Sequence, residues 1–430
     1  MKLENSKGTR DFGPEDKILR NEVVSRLTKV FELYGYSPLE TPIIERYELL
    51  AAKAGAGEDS DALKEIFKLT DQGERKLGLK FEQTLSFARF IGMNPVMKMP
   101  FKRYEVGPVF RDGPIKLGRY RQFWQCDVDV VGCKDMAVDA EILNLALDGF
   151  KALELDAYLE VNNRKLLKGI IEFAGIKPGL ADSVIISVDK LAKIGRNGVK
   201  KELEEKKIED EKIDKLLDAF DVKGSNAEKL SQLKAMITSD IGKEGLTELE
   251  ELFSYLAQDT EEKVVFSVSL ARGLGYYTGT IFEGFMRKGE ITSSICGGGR
   301  YDKMIQGLLG NNREYPCIGI SFGLDVISDV MRLAKKHALK TVARVYVIPI
   351  KTTKECFAIC KELRDGGIST DMDFSGKGIS RNLDYVNALK IPFAIIAGPN
   401  ELAEKKVKLK DMNSGEEELV SVKEAIKKIS

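Results

Sequence analysis

The sequence predicts an α+β fold in two domains: residues 1–335, an antiparallel sheet with a helical insertion at about 165–260, and residues 340–430, a smaller α/β domain. Three observations predict it. Short apolar runs separated by turn residues fill Phe67 to Asp129, the pattern of antiparallel strands. A Lys/Glu-rich stretch with helical periodicity follows from about Asn162 to Asp259. Beyond His337, strand-like and helix-like segments alternate, the rhythm of βαβ units in a small parallel or mixed sheet.

Taken in order, EDKILRNEVVSRLTKVFELYG places Ile18, Leu19, Val23, Val24, Leu27, Val30, Phe31 and Tyr34 at helical spacing, with Gly35 as the stop. The prolines of YSPLETPIIERYELL punctuate a strand-like stretch leading to another helix start. FKRYEVGPVFRD and RYRQFWQCDVDVVG read as two strands joined by the polar loop GPIKLG. The segment around KKELEEKKIEDEKIDKLLDAF reads as a solvated bundle or lid, because strand signals resume at VVFSVSLARGLGYYTGTIFEGF. SSICGGGRYDKM carries a glycine run, read either as a flexible turn or as a close approach of backbone to ligand. CIGISFGLDVI reads as a strand turning into a helix, and ARVYVIPI, GISTDMD and IPFAIIAGP are the strands of the last domain.

Sixty-seven basic side chains balance 67 acidic ones, so a nucleic-acid partner must be met by a local patch and not by the overall field. No run approaches the roughly 20 apolar residues of a membrane span, and the start lacks the apolar core of a secretory signal; a cytoplasmic protein with no membrane partner is expected. Six cysteines without a CxxC pair are expected to be reduced. Cys356 and Cys360, four apart on a helix, lack a third metal ligand nearby and read as structural. His337, the only histidine, sits in the basic linker MRLAKKHALK, which argues against Ser-His-Asp or Cys-His catalysis and multi-histidine metal sites. The chemistry is left to carboxylates, arginines, tyrosines and substrate groups.

The densest cluster of such groups is Arg103, Glu105, Arg111, Lys116, Arg119, Arg121, Gln125 and Asp129. Alternation on two antiparallel strands would put Arg111 and Gln125 on one face with Glu105, although the register is open at this level. The plain reading is a charged outer sheet surface. The aromatic partners Tyr104, Phe110, Phe123 and Trp124 favour strands buried on their other side, leaving an arginine-rich face suited to a phosphate or carboxylate. A second cluster, Arg272, Tyr276, Tyr277 and Thr278 in ARGLGYYTG, supplies a stacking surface, hydroxyls and a cation in a strand, or else marks a bend. Neither GxxxxGK[ST] nor a strand-to-helix GxGxxG occurs.

GTRDF at 8–12, the strand-loop-strand at 101–132, LARGLGYYTG from 270, SSICGGGRYDKM at 293–304 and GISFGLD at 319–325 together resemble the histidyl-tRNA synthetases, in family order over nearly the whole chain. The motifs RGLxYYTG and CGGGRYD single that family out among class II synthetases. The resemblance implies a class II catalytic domain with a helical insertion, an anticodon-binding α/β domain and a homodimer. It implies a histidine–tRNA ligase that activates L-histidine with ATP and Mg²⁺ and charges the 3′ end of histidine tRNA. Carried over by motif, the histidine pocket comprises Glu82, Gln83, Thr84, Arg111, Gln125, Asp129, Arg272, Tyr276 and Tyr277. Arg111, Arg119 and Glu105 fall to ATP, and Arg272 and Arg111 to catalysis. The insertion is cast as a clamp on the acceptor stem, and Lys377, Arg381 and Lys405 to Lys410 are candidates for tRNA phosphates.

Some positions depart from the family pattern. Lys80 and Phe81 precede the pocket carboxylate in place of a basic-Pro pair, Gly275 stands where Asp is common, and Val326 stands where the third motif usually has an arginine. Nearby Arg332 lies off the same helical face. The departures motivate an alternative, a non-catalytic histidine-sensing subunit of ATP phosphoribosyltransferase, which generally lacks the C-terminal α/β domain complete here. A glycyl, threonyl or prolyl synthetase is disfavoured by RGLGYYTG.

Overall fold

Alternating apolar and polar residues make Phe101–Phe110 (β5) and Gln122–Val131 (β6) a long antiparallel pair, in register from Phe101 opposite Val131 to Phe110 opposite Gln122. The pair is part of an eight-stranded sheet. The computed structural model describes residues 2–52, 64–115, 119–257, 260, 262–273, 275–334 and 339–429; Lys116 and His337 lie outside them. The chain divides into two compact units, Met1–Arg10 with Val23–Val330 and Asp11–Glu22 with Met331–Ser430.

In the first unit the spatial order of strands is β1 (Ser37–Pro38), β5, β6, β11 (Cys317–Gly323), β10 (Cys296–Arg300), β9 (Thr280–Met286), β7 (Ala157–Asn163) and β8 (Val264–Phe266). The six inner strands are antiparallel, whereas β1 and β8 run parallel to their neighbours. This corrects the purely antiparallel expectation: both edge strands reach their partners through long connections, which permit parallel pairing, and not through tight turns. Helices α1 (Pro14–Leu33) and α4 (Met136–Ala152) contribute aromatic rings to one face, where Phe31 lies 5.7 Å from both Tyr104 and Phe322, and Phe150 lies 6.3 Å from Phe322. The opposite face carries the odd-numbered side chains of β5 and β6.

A three-stranded sheet, β2 (Ile44–Arg46), β4 (Lys76–Leu79) and β3 (Lys68–Thr70), with the short α2 (Tyr47–Leu50), precedes helix α3 (Thr84–Met93). Phe110 N–H donates to Lys80 O at 2.9 Å, which lays residues 80–84 beside the end of β5. Between β7 and β8 lie the helices α5 (Arg164–Phe173), α6 (Ala181–Val188), α7 (Leu191–Glu205), α8 (Asp210–Phe220), α9 (Asn226–Met236) and α10 (Asp240–Ser254). Leu166, Leu167, Ile170 and Ile171 bury one stripe of α5, and its crossing with α10 is so close that a Cβ on Gly245 would come within 2.4 Å of Leu166 N.

Two segments read from the sequence change character. The described residues of ARGLGYYTG form a loop and not a strand, because Arg272 adopts a left-handed φ of 45° that a ladder does not accommodate. The run CGGGR, read as a flexible turn or as a close approach of backbone to ligand, is the inner strand β10. Helices α11 (Met304–Leu309) and α12 (Leu324–Leu333) follow β10 and β11 respectively.

The second unit has a five-stranded sheet, β13 (Thr370–Met372), β12 (Val345–Pro349), β14 (Phe393–Ala397), β15 (Val407–Asp411) and β16 (Glu417–Val420), the first three parallel and the rest antiparallel. One core gathers Cys356, Cys360 and Leu363 of α13 (Thr353–Asp365) with Ala425 and Ile429 of α16 (Val422–Ile429); another gathers Val386 of α14 (Ile379–Ala388). Helix α15 (Pro399–Ala403) follows β14. The two cysteines are thus core residues, and no metal-ligating cluster occurs among the described residues.

Candidate active site

Directly opposed residues of an antiparallel ladder share a face, so the register maps the polar side of the large sheet. One row runs Glu105, Asp127, Ser321, Gly297, Glu283, and the next runs Arg103, Asp129, Gly319, Gly299. Glycines make the floor because side chains lie across them. A Cβ on Gly319 would meet Asp129 Oδ1 at 1.9 Å, one on Gly297 would meet Arg272 Nη1 at 1.9 Å, and one on Gly299 would meet the Tyr277 ring at 2.9 Å.

Above this floor is a cleft of about 90 Å³ lined by Glu82, Thr84, Arg111, Gln125, Asp129, Arg272, Tyr276 and Tyr277, all foreseen from the sequence. Asp127, Ser321 and Tyr301 also line it and were not foreseen. Alternation could have found Asp127, which sits between Gln125 and Asp129 on the same face of β6. Gln83 is buried behind the cleft, donating through Nε2 to the carbonyls of Gly107 at 3.2 Å and Gln125 at 3.3 Å. Arg119 lies outside the lining, half-exposed and paired with Glu65 at 2.8 Å.

Glu105 does share the polar face with Gln125, but it does not line the cleft. Its Oε1 accepts from Lys80 Nζ at 2.7 Å, Thr41 Oγ1 at 2.8 Å and Thr41 N at 3.0 Å, and the residue is 1% exposed. An ATP ligand is the wrong description for it; Glu105 braces residue 80 against the sheet.

Electrostatics separate the acids. Burial pushes Glu82 up to about 7 against the pull of Arg111, and burial pushes Asp127 up to about 7 against the pull of Arg103. Asp129 is raised by burial as well, while Arg103 and Tyr301 oppose the shift. Its Oδ1 accepts from Tyr301 Oη and its Oδ2 lies 2.7 Å from Arg103 Nη2. Tyr276 and Tyr277 pack with centroids 4.6 Å apart, and burial raises both hydroxyls, which therefore stay neutral donors.

Both cleft arginines are held by carbonyls. Arg111 Nε donates to Phe81 O at 3.1 Å, with the guanidinium 5.1 Å from the Phe123 centroid. Arg272 Nη1 donates to Phe282 O at 3.1 Å and lies 3.2 Å from Glu283 Oε1. The left-handed turn at Arg272 is supported from α5, where buried Arg164 donates through Nη1 to the carbonyls of Ala271 and Arg272, each at 3.2 Å. Near the third motif, Asp325 accepts from Trp124 N at 2.9 Å and Arg10 Nη2 at 3.1 Å, and Val326 has no polar group to offer. Arg332 pairs with Asp16 at 3.7 Å.

A larger cleft of about 700 Å³ is also lined by Tyr276 and Tyr277, but Lys165, Arg300 and Lys134 on its wall are already paired with Glu248, Asp139 and Glu314. The small cleft holds the unsatisfied groups and is where amino-acid chemistry fits: carboxylates for N–H groups, arginines for a carboxylate and a phosphate.

The family described as histidyl-tRNA synthetase matches residues 8–327. This chain belongs to that family. Residues 344–430 of the family member match the anticodon binding domain. Histidine–tRNA ligase 1 of Bacillus cereus is 42% identical over 97% of this chain and 95% of its own length. Histidine–tRNA ligase 2 of Shouchella clausii is 40% identical over 97% and 98%. The crystal structure of a histidyl-tRNA synthetase from Nostoc sp. superposes with a TM-score of 0.87 at 30% identity, covering 100% of this synthetase-family chain and 99% of that one. An ATP phosphoribosyltransferase regulatory subunit/histidyl-tRNA synthetase from Bacillus halodurans shares the fold, with a TM-score of 0.75 at 21% identity and coverage of 93% and 99%.

Proposed function

We propose that this chain is a histidine–tRNA ligase acting in the cytoplasm as a homodimer. A carboxylate oxygen of L-histidine attacks the α-phosphorus of ATP, the bond to pyrophosphate breaks, and histidyl-adenylate forms. The terminal ribose hydroxyl of histidine tRNA then attacks the acyl carbon, and AMP leaves. The observation that carries this reading is the small cleft, in which Arg111 and Arg272 converge with Glu82, Asp127 and Asp129 over a glycine floor.

Arg111 and Arg272 neutralise charge that develops as carboxylate meets phosphate, and Glu82, Thr84 and Gln125 orient the amino acid beside them. No protein nucleophile is needed, which suits a cleft without histidine or an activated thiol. Mg²⁺ enters with the nucleotide: no cluster of three or more potential metal-ligating side chains occurs among the described residues, and the phosphates themselves are the natural ligands. Arg119, on the loop before β6, would meet the ATP phosphates by leaving Glu65, its present partner at 2.8 Å.

Residues 344–430 would read the anticodon. Lys406, Lys408 and Lys410 already face Glu404 or Glu417, which leaves Lys377, Arg381 and Lys405 as the more available cations there. The presence of this domain favours a ligase over a histidine-sensing subunit. Histidine-dependent exchange of pyrophosphate into ATP tests the reading, with Arg272→Ala as control: exchange reduced about a hundredfold or more by the substitution supports it, and absence of exchange in the parent overturns it. Selectivity for histidine over glycine, threonine and proline in the same assay separates the class II relatives.

A further inference from the structure

Glu65, between α2 and β3, carries no role in the motif resemblance, yet it holds both flanks of the segment that joins β5 to β6. Its carbonyl accepts from the N–H of Asp112, the residue after Arg111, at 2.7 Å. Its carboxylate Oε1 accepts from Arg119 Nη2 at 2.8 Å. The carboxylate also lies against Gly113, where a Cβ would come within 2.5 Å of Oε1. Glu65 draws Arg111 as well, while Arg119 repels it. One carboxylate, its side chain 14% exposed, therefore stands among the arginines assigned above to the phosphates of ATP.

The two arginines are held in different ways. Arg111 is fixed through Nε to Phe81 O at 3.1 Å and packs on the Phe123 ring, contacts that a phosphate bound at its outer nitrogens does not have to break. Arg119 has Glu65 as its only ion-pair partner among the described residues, and it reaches a phosphate only by giving that partner up. The neighbouring acids do not compete for it: Asp112 pairs with Arg121 at 3.0 Å and Asp325 with Arg10 at 3.1 Å. With the arginine side chain 44% exposed, the pair with Glu65 is screened and modest in strength. A polyphosphate, with more charge and more acceptor oxygens than one carboxylate, displaces it.

We propose that Glu65 stands in for the outer phosphates of the nucleotide: it holds Arg119 in the ATP-free chain and yields it to the β- and γ-phosphates, so that its charge sets the affinity for a triphosphate relative to a monophosphate. The assignment rests on the ligase reading above. Its consequence runs opposite to the loss of a binding residue. Neutralising Glu65 releases Arg119 in advance and removes an anion that the phosphates must approach, so ATP binds more tightly. AMP, which ends at the α-phosphate and meets Arg111, gains little.

The test uses the full-length chain with Glu65→Gln, Arg119→Ala and the double substitution, and measures the Kd of ATP with Mg²⁺ and of AMP by titration calorimetry. The backbone bond from Asp112 to residue 65 survives in every variant, and melting temperatures are compared with the parent. Glu65→Gln is expected to tighten ATP about two- to fivefold and to leave AMP unchanged; in the Arg119→Ala background it no longer alters the Kd of ATP. Glu65→Ala, measured beside it, is expected to shift ATP in the same direction. ATP affinity that is unchanged or weaker in both Glu65 variants overturns the assignment. Equal tightening of ATP and AMP overturns it as well, and so does tightening that persists without Arg119. Failure of the ligase reading is seen separately, as absence of histidine-dependent exchange in the parent, because the nucleotide titrations need no turnover.

Discussion

Arg164 Nη1 donates to the carbonyl oxygen of Arg272 at 3.2 Å, tying the first residue of the helical insertion to the backbone of the arginine over the glycine floor. The same guanidinium holds Ala271 O and pairs with Asp182 of α6 at 3.1 Å. It therefore spans the insertion and a turn whose φ of 45° is unfavourable for a side-chain-bearing residue. Arg164→Ala is expected to lower the kcat of pyrophosphate exchange by about tenfold to a hundredfold, since a misplacement of about 1 Å has that effect on chemistry, with the histidine KM little changed. Arg164→Lys does not rescue, because an ammonium cannot reproduce the planar fork. Rates are to be normalised by burst titration of adenylate; a loss that only tracks the fraction of active enzyme refutes the positioning role.

The ion pair of Lys80 and Glu105, 2.7 Å long and at most 2% exposed, gives the basic residue two positions before Glu82 a structural role. Its partner is now visible across the sheet face. Removing one member strands a buried charge, so Lys80→Met or Glu105→Leu is expected to destabilise by about 3–5 kcal/mol, measured by urea denaturation. The double substitution is expected to recover most of the loss. If each single variant is as stable as the parent, the pair does not fasten residues 80–84.

Legibility followed the kind of signal each residue gives. Strand alternation made β5 and β6 readable, and the resemblance to the synthetase family implied eight residues that the structure brings into one cleft. Asp127 was passed over although it obeys the same alternation as Gln125 and Asp129, because the resemblance carried no role over to it. The glycine run was read as a turn or as a close approach of backbone to ligand; glycine predicts a turn locally, and only the cross-strand backbone reveals that Gly298 is excluded from being anything larger. ARGLGYYTG misled in the opposite direction, since its tyrosines favour a strand while the tertiary hold of Arg164 imposes a turn. Glu105 was placed on the correct face, yet its burial under Lys80 depends on a segment that sequence distance conceals.

The two raised carboxylates give the stability of the ligand-free chain a definite pH dependence. Glu82 and Asp127 sit at about 7 when folded, with Arg111, Asp129, Arg103, Glu105 and Ser321 facing one or the other, against about 4 when unfolded. The folded chain keeps protons that the unfolded chain releases. The stability these groups contribute is therefore full below about pH 4 and is lost as pH rises through about 7. Asp127→Asn, fixed in the neutral form, is expected to melt higher than the parent at pH 8, with the gap closing by pH 5. A variant that melts lower at pH 8 would show that Asp127 carries a compensating partner in the free protein.

Adjacent glycines in β10 separate folding from chemistry. A Cβ at Gly298 would meet the backbone oxygen of Gly319 at 1.9 Å and the Cα of Ile320 at 2.8 Å, neither of which can move without breaking the inner sheet. Gly298→Ala is accordingly expected to yield little soluble, cooperatively folding protein. At Gly297 the obstruction is Arg272 Nη1 at 1.9 Å, the far end of a flexible side chain. Gly297→Ala is expected to fold with a melting temperature near that of the parent and to lose exchange about a hundredfold or more, because the guanidinium is lifted from its place beside the reacting groups. Since the added methyl does not touch Arg111 or Glu82, the KM for ATP should change little. Paired measurement of melting temperature and exchange in the two variants decides the point: a Gly297→Ala enzyme with full activity would mean that Arg272 acts from a position other than the one over the glycine floor.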